Sequence, residues 1–537
     1  MFLLDLLTQL QALNTFFSIA VPIVLVVLAV YAVLASRSRR RRGWRAVLRL
    51  EDWFKVRYKR RSRKELRALA QGNSVTLGKV LHAGWWWMKQ PLIIPESARC
   101  YNALNIGPVG AGKTFFYLAT YLAQDLSRPN VCVIVLDGQQ AITEDVIALA
   151  AQHHREVVVY PDAGFNPLRG PGSPEATAAL FGDVWAQVVE IPNTGPARYY
   201  TERAQSFLRK VVPLYERAYQ QPMILRELLE LCLSDTLRAR LVADGAGTPE
   251  ARAYHTMCGG WSKSDFDANL SGLVNFIDRL LIERNAWLYN QRFAPTLLEG
   301  IQEKKVVIVR EGGAKDTAQH TAGLLYMTLL QAYAERRRVQ PTSPLISVYM
   351  DEAHMYFNRN FPTFIATARK KLVALHLGFQ SFKQLVPHGP VITTNCRTWI
   401  LHGGLEYDDA LLVANNIGKR NYRTRTWTTG GRQPRQTIGH RWDYLVPSHE
   451  IRGLGEKEAL VLTVEGQKRE VASHAFVEKP GFLQLATMPY EDLQVPAAPP
   501  MTIWEERDQQ HAALAAGNGQ QQTPSLGQPA GQQQPGW

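Results

Sequence analysis

The sequence predicts an α/β fold: a mainly parallel central sheet covered on both faces, an inserted all-α domain, and one N-terminal apolar helix. Three observations carry this. Short β-branched runs alternate with helical stretches. The strand pattern disappears between about Pro174 and Asn290. A glycine-rich turn stands between the first strand-like run and the first helix. The length of 537 residues calls for two or three domains, and 46% hydrophobic residues with 10% aromatic supply a large core.

The apolar helix comes first. Phe16 to Ala35, FFSIAVPIVLVVLAVYAVLA, runs 20 residues without a charge, and a helix rising about 1.5 Å per residue then crosses a bilayer core. RSRRRRGWR follows this run, the reverse of a signal peptide's order. The positive-inside rule then puts the N-terminus outside and the bulk of the chain in the cytoplasm. From Arg37 to Lys64, fourteen Lys and Arg stand against Glu51 and Asp52, a net of +12 out of the chain's +14. The basic character is therefore a local block, expected to hold the helix at anionic lipid headgroups. This gives an N-terminal segment 1–36 and a basic juxtamembrane connector 37–75. The tryptophans of GWWWMKQP (Gly84 to Pro91) are expected to pack on the following domain or near the membrane surface. Five cysteines with no CxxC spacing argue against a zinc site or a disulfide framework.

The α/β domain is expected over 76–173 and 291–495. Tyr101 to Ile106 is a short strand and Thr114 to Leu126 a helix. VCVIVLD (Val131 to Asp137), VVVY (Val157 to Tyr160), KKVVIVR (Lys304 to Arg310), LISVYMD (Leu345 to Asp351) and the run from Leu372 are continuous apolar strands. Such strands are buried on both faces of a parallel sheet. Residues 174–290 have helical apolar spacing throughout. From about Pro496 the composition turns Gln, Gly and Pro rich, and 496–537 is expected to be disordered.

Between the first strand and helix lies GPVGAGKT: Gly107, Pro108, Val109, Gly110, Ala111, Gly112, Lys113 and Thr114. This is a P-loop of the form GxxxxGK[ST], whose backbone amides cradle phosphates at a helix N-terminus. Lys113 is expected to reach the β and γ phosphates of ATP, and Thr114 to ligate Mg²⁺. The partner carboxylate belongs at the end of a neighbouring strand. Asp351 ends LISVYMD and is placed to hold Mg²⁺ through water, and Glu352 to orient or deprotonate the attacking water. Gln380, in GFQSFKQL, is a candidate γ-phosphate sensor. Arg369, in TARKKL, is a candidate arginine supplied to a neighbouring subunit, with Arg397 a weaker one. Together these predict a RecA-like P-loop NTPase domain.

In these stretches the chain resembles the conjugative type IV coupling proteins, the TraG/TraD class, within the FtsK/HerA group of motor ATPases. GPVGAGKT, VIVLDGQQ, GFNPLRG, YMDEAHMYF, ARKKLVALHLGFQSFKQL, NCRTWILHGGLEYDDALLVANNIGKR and LVPSHEIRGLGEKEALVLTVEGQ occur in the family's order. The likeness spans roughly Thr76 to Ala475. It implies a homo-hexameric ATPase of the bacterial inner membrane that delivers substrate to type IV secretion channel proteins. The usual substrate is a relaxase bound to DNA, single-stranded or double-stranded, and sometimes an effector protein. The chain departs from the family in having one apolar helix where many members have two. It has DGQQ in place of Asp-Pro-Lys-Gly, and DEAH where a bulky apolar residue more often follows Asp-Glu.

A DEAH helicase is excluded by spacing: from Lys113 to Asp351 is 238 residues, with no Ser-Ala-Thr motif and no room for a second motor domain. The alternatives are a secretion-channel or phage-assembly ATPase of the same superfamily, and a receptor that binds nucleotide without turnover.

Overall fold

The computed structural model describes residues 62–80, 90–170, 172–189, 195–310, 317–428, 435–456, 458–463, 473–478, 493–496 and 498–519. The apolar run 16–35, the connector up to residue 61, the three tryptophans and residues 520–537 lie outside these. No helix among the described residues is long and apolar enough to cross a membrane.

Thirteen strands occur among the described residues. They are β1 (Val75–Val80), β2 (Gln90–Ile94), β3 (Ala103–Ile106), β4 (Val131–Asp137), β5 (Val157–Tyr160), β6 (Val306–Arg310) and β7 (Leu345–Asp351). After these come β8 (Val373–Phe379), β9 (Thr398–Leu401), β10 (Lys419–Thr428), β11 (Arg435–Tyr444), β12 (Glu458–Thr463) and β13 (Ser473–Glu478). The chain forms two compact units, one holding the described residues up to Tyr121 with Phe379–Val386 and Cys396–Leu483. The other holds Leu122–Gly378, Pro387–Asn395 and the C-terminal residues.

In the second unit the strands run β8-β7-β4-β6-β5, all parallel. Every residue of β4, β7 and β8 is buried, as their unbroken apolar runs require. Register places Asp137 opposite both Asp351 and Arg310, so three charged residues end three adjacent strands in one row.

In the first unit the order is β2-β1-β13-β12-β9-β3. Only β3 and β9 are parallel; β12, β13, β1 and β2 pair antiparallel. The expectation of a mainly parallel sheet holds for the strands around Asp351 and fails at this edge. β1 at this edge has exposed residues among its buried ones, as suits an antiparallel strand with one face to solvent.

Among the described residues, the elements from Pro174–Val188 to Arg284–Leu288 are helices. Their starts are legible in the sequence: Ser173, Ser234, Thr248 and Ser262 each accept a bond from a backbone N–H three residues on. The long helix Pro196–Tyr219 buries Phe207, Leu208, Val211, Val212, Leu214 and Tyr215.

GFNPLRG joins this helical insertion to the sheet. Asn166 Oδ1 accepts the Leu168 N–H (3.0 Å), while its amide donates to the carbonyls of Met223 (3.0 Å) and Arg292 (3.2 Å). One buried asparagine thus ties the chain entering the insertion to the chain leaving it.

The tail departs from expectation. Residues 503–519 form the helix Ile503–Gly519, started by a capping pair in which Thr502 N–H donates to Glu505 (2.8 Å) and Glu505 N–H to Thr502 Oγ1 (3.3 Å). Composition taken over the whole tail hides Ile503 and Trp504, both buried. Trp504 Nε1 donates to the Tyr219 hydroxyl (3.1 Å), and Arg226 pairs with Glu505 (2.5 Å). All five cysteines are buried free thiols, and burial pushes the Cys132 thiol up to about 12.

Candidate active site

The P-loop belongs to the first unit. β3, buried at all four residues, delivers the chain into Gly107. Gly107 N–H donates to the carbonyl of Phe379 (3.1 Å), the last residue of β8. A Cβ on Gly107 would lie 2.8 Å from His402 Cβ, so only glycine fits. Gly110 and Gly112 have φ of 77° and 75°, and left-handed residues flanking Ala111 make the alternating backbone of an anion-binding nest. A Cβ on Gly110 would meet nothing within 4 Å, so that glycine is demanded by backbone hand and the loop lies open above it.

Lys113 is 7% exposed and Thr114 half-buried. Lys113 opens the helix Lys113–Tyr117, which continues as π-helix Leu118–Leu122 and α-helix Ala123–Leu126. The expected single α-helix from Thr114 to Leu126 therefore contains a π segment; π turns are frequent at functional sites. Within it the buried Thr120 hydroxyl donates to the Phe116 carbonyl (2.6 Å).

Behind the loop lies a pair of residues that motif reading passed over. Asn105 on β3 donates through Nδ2 to the Lys113 carbonyl (3.3 Å), and its Oδ1 lies 2.7 Å from His402 Nε2. With the amide so committed, Oδ1 accepts and His402 carries its proton on Nε2. His402 also sits edge-on to Phe116 at 5.6 Å. It thus fixes the first helical residue through Asn105 and supports Gly107 by contact. His402→Leu leaves the buried Asn105 acceptor unsatisfied, which costs about 1–3 kcal/mol. We expect a lower melting temperature and weaker binding of a fluorescent ATP analogue; wild-type values for both would remove His402 from this role.

The acidic strand end belongs to the second unit. β7 carries polar residues on one face, Ser347, Tyr349 and Asp351, and Ile346, Val348 and Met350 on the other. Ser347 Oγ lies 3.0 Å from His376 Nε2, Tyr349 stacks on His376 at 4.6 Å, and the Tyr349 hydroxyl donates to Asp125 (2.6 Å). This polar row fixes the strand that ends in Asp351. Asp351 is 6% exposed and Glu352 3%. Glu352 takes the left-handed conformation (φ 51°, ψ 54°), costly for a residue with a Cβ and concentrated at functional positions. His354 Nδ1 lies 3.5 Å from Glu352 Oε2. Ala353 and His354 begin a 3₁₀ turn, Ala353–Tyr356, and that turn packs on Gly138: a Cβ there would lie 3.0 Å from Met355 Sδ.

Asp137, in the DGQQ segment, serves its own loop. It accepts from the N–H groups of Ala141, Ile142 and Thr143 and from the Thr143 hydroxyl, at 2.6–3.1 Å. Arg310 donates to Gln140 Oε1 (3.0 Å), so this turn is held without a lysine.

Gln380 is half-buried just past β8, its N–H donating to Gln384 Oε1 (2.7 Å). Arg369 is exposed in the 3₁₀ turn Ala368–Lys371, which follows the helix Phe361–Thr367. Arg397 stacks on Tyr101, guanidinium 3.7 Å from the ring centroid, which gives it a structural use.

The residues fit a magnesium nucleotide by chemistry: a left-handed glycine nest and a lysine on one element, and a hydroxyl and two carboxylates of the kind that hold Mg²⁺ and water.

Residues 346–456 match the family described as the TraM recognition site of TraD and TraG. In fold the chain is similar to the unbound monoclinic form of the bacterial conjugative coupling protein TrwBdeltaN70, with a TM-score of 0.56 and 15% identity over 80% of this chain and 94% of that one. Its trigonal form in complex with sulphate gives a TM-score of 0.52 and 15% identity over 75% and 89%. VirB4 of Thermoanaerobacter pseudethanolicus gives 0.49 and 14% over 77% and 98%. No curated protein sequence matches the chain. The matched segment supports the TraG/TraD class that the motifs resemble.

Proposed function

We propose that this TraG/TraD-class coupling protein is a motor that hydrolyses ATP to recruit substrate and move it into a type IV secretion channel. Two observations carry the reading: the first unit has a nest ending in Lys113 and Thr114, and the second has a buried strand end carrying Asp351 and the left-handed Glu352. In the proposed chemistry Mg²⁺, when bound, neutralises charge on the β and γ phosphates. Thr114 and Asp351 hold it, Lys113 binds the γ oxygens, and Glu352 takes a proton from the attacking water. Gln380 senses the γ phosphate. Arg369 is supplied to the next subunit of a homo-hexamer.

In this reading the helix at 16–35 anchors the hexamer in the inner membrane, with the basic block on anionic lipids and the bulk of the chain cytoplasmic. The substrate is relaxase-bound DNA. Steady-state ATP hydrolysis by the full-length protein, with and without single-stranded DNA, tests the proposal. Turnover that DNA stimulates is expected. Bound nucleotide with no turnover in either condition would establish a receptor instead.

A further inference from the structure

β10 and β11 form a ribbon of their own: ten antiparallel pairs run from Lys419↔Tyr444 to Thr428↔Arg435, with no third strand among the described residues. We propose that this hairpin is a contact surface for single-stranded nucleic acid. The proposal rests on the reading of the chain as a DNA-moving motor and gives that motor a site for its strand.

Charge is the first argument. The two strands carry Lys419, Arg420, Arg423, Arg425, Arg435 and Arg441 against Asp443 alone. That is six minus one, a surplus of +5 in 20 residues. Since the 37–64 block holds +12 of the chain's +14, the rest of the chain outside hairpin and block is slightly acidic. The near-neutral motor thus concentrates its positive charge here.

Register is the second. Residues directly opposite share a face. Lys419 and Asn421 on β10 therefore share one with Tyr444, Trp442 and His440 on β11. At the base of the ribbon that face carries a lysine, a histidine and two aromatics, with no acid. Trp442 is 67% exposed, and Asn421 and His440 are exposed beside it. Lys419 Nζ lies 4.5 Å from the Tyr444 ring centroid. An aromatic that served a core would be covered; this one is presented to solvent. Cations that follow phosphates and rings that stack on unpaired bases are what single strands require.

An anionic membrane surface is the competing ligand. It needs aliphatic area to insert, and Ile438 is the one aliphatic side chain on the two strands. Four threonines, Asn421 and Gln436 take six of the 20 positions, as suits hydrogen bonding to phosphate oxygens.

The ribbon is also linked to the loop that follows β8. It grows from the helix Tyr407–Ile417, and Leu445 N–H closes its base on the Gly418 carbonyl (3.0 Å). At the other end of that helix, Asp409 accepts the Phe382 N–H (3.2 Å) and Glu406 pairs with Lys383 (2.7 Å). A strand held on the hairpin therefore bears, through one helix, on the segment that carries Gln380.

The test uses the full-length protein in detergent and a fluorescein-labelled oligo(dT). Trp442→Ala is expected to weaken binding about tenfold, with Trp442→Phe restoring most of it. The double variant Arg423→Glu/Arg425→Glu is expected to weaken binding and to flatten the slope of log affinity against log salt by about 1.4. Basal ATP turnover, measured without DNA, is expected to stay at the wild-type value while stimulation by DNA is lost; unchanged basal turnover also shows that the variants fold. Variants that bind oligo(dT) with wild-type affinity and salt slope would overturn the hairpin assignment alone. Wild-type protein that binds no oligo(dT) would overturn both the assignment and the DNA-motor reading. Loss of binding to phosphatidylcholine–phosphatidylglycerol vesicles with oligo(dT) binding intact would overturn it in favour of a membrane surface.

Discussion

Lys113→Ala is expected to lower ATP turnover at least about 10²–10³-fold, the usual effect of removing one group that meets transition-state charge in a water-poor site. Lys113 is the first residue of its helix, 93% shielded from solvent, with its carbonyl held by Asn105. The Asn105 bond is made to the backbone carbonyl, so the substitution keeps it, and the melting temperature of the nucleotide-free protein should stay near wild type. Glu352→Gln should reduce kcat by about 10²–10⁴-fold, since it removes the base but keeps the shape. Glutamine must adopt the same left-handed backbone, so the strain remains and stability should not rise. The two variants should differ in binding: Lys113→Ala weakens a fluorescent ATP analogue, while Glu352→Gln holds unhydrolysed ATP. Wild-type turnover in either variant would defeat the site assignment, and the same variants should fail in a mating or secretion assay if the motor drives transfer.

Much of this site was legible before the fold was known, because its parts are local. A glycine nest needs glycines at fixed offsets, and a strand buried on both faces shows as an unbroken apolar run, so β4, β7 and β8 appear in the sequence within a residue or two of their ends. What escaped notice depends on residues far apart. Asn105 and His402 are 297 positions apart, and nothing in either stretch says that they meet. Antiparallel β12 and β13 carry too few residues to show a period against the noise of a single sequence. Composition misses the tail helix because it averages over a window: Ile503 and Trp504 decide the fate of the segment, and they are two residues among many polar ones. The hairpin was hidden by net charge, which adds a basic ribbon to an acidic remainder and returns nearly zero. The polar face of β7 was hidden by its burial, because Ser347 and Tyr349 interrupt neither the length nor the hydrophobicity of the run.

The second large effect concerns the junction of the helical insertion. Glu227 is fully buried and receives Arg292 through both guanidinium nitrogens, at 3.0 and 2.6 Å. It also accepts the N–H groups of Ile224 (3.0 Å) and Ile503 (2.7 Å). Arg292 donates further to the Pro222 carbonyl (2.8 Å) and the Tyr215 hydroxyl (3.1 Å). Burial, reinforced by the Glu227 carboxylate, pushes the Tyr215 hydroxyl well above its ordinary value, so it stays neutral and able to accept. One carboxylate thus gathers two helical segments, the exit from the insertion and the start of the C-terminal helix. Glu227→Leu strands a guanidinium charge in the interior, and breaking such a pair from one side costs about 3–5 kcal/mol. Arg292→Leu strands the carboxylate and should cost about the same. The double variant Glu227→Leu/Arg292→Leu leaves no buried charge, and its loss should be well short of the sum of the two single losses. Urea midpoints, followed by tryptophan fluorescence, measure all three, with Trp504 reporting on the C-terminal helix. Single variants with wild-type midpoints, or a double variant equal to the sum, would show that the pair is not the tie between these segments. If the tie is real, either single variant should also free the C-terminal helix to limited proteolysis while the wild-type protein resists, because the Ile503 N–H loses its acceptor in one case and its acceptor loses its partner in the other.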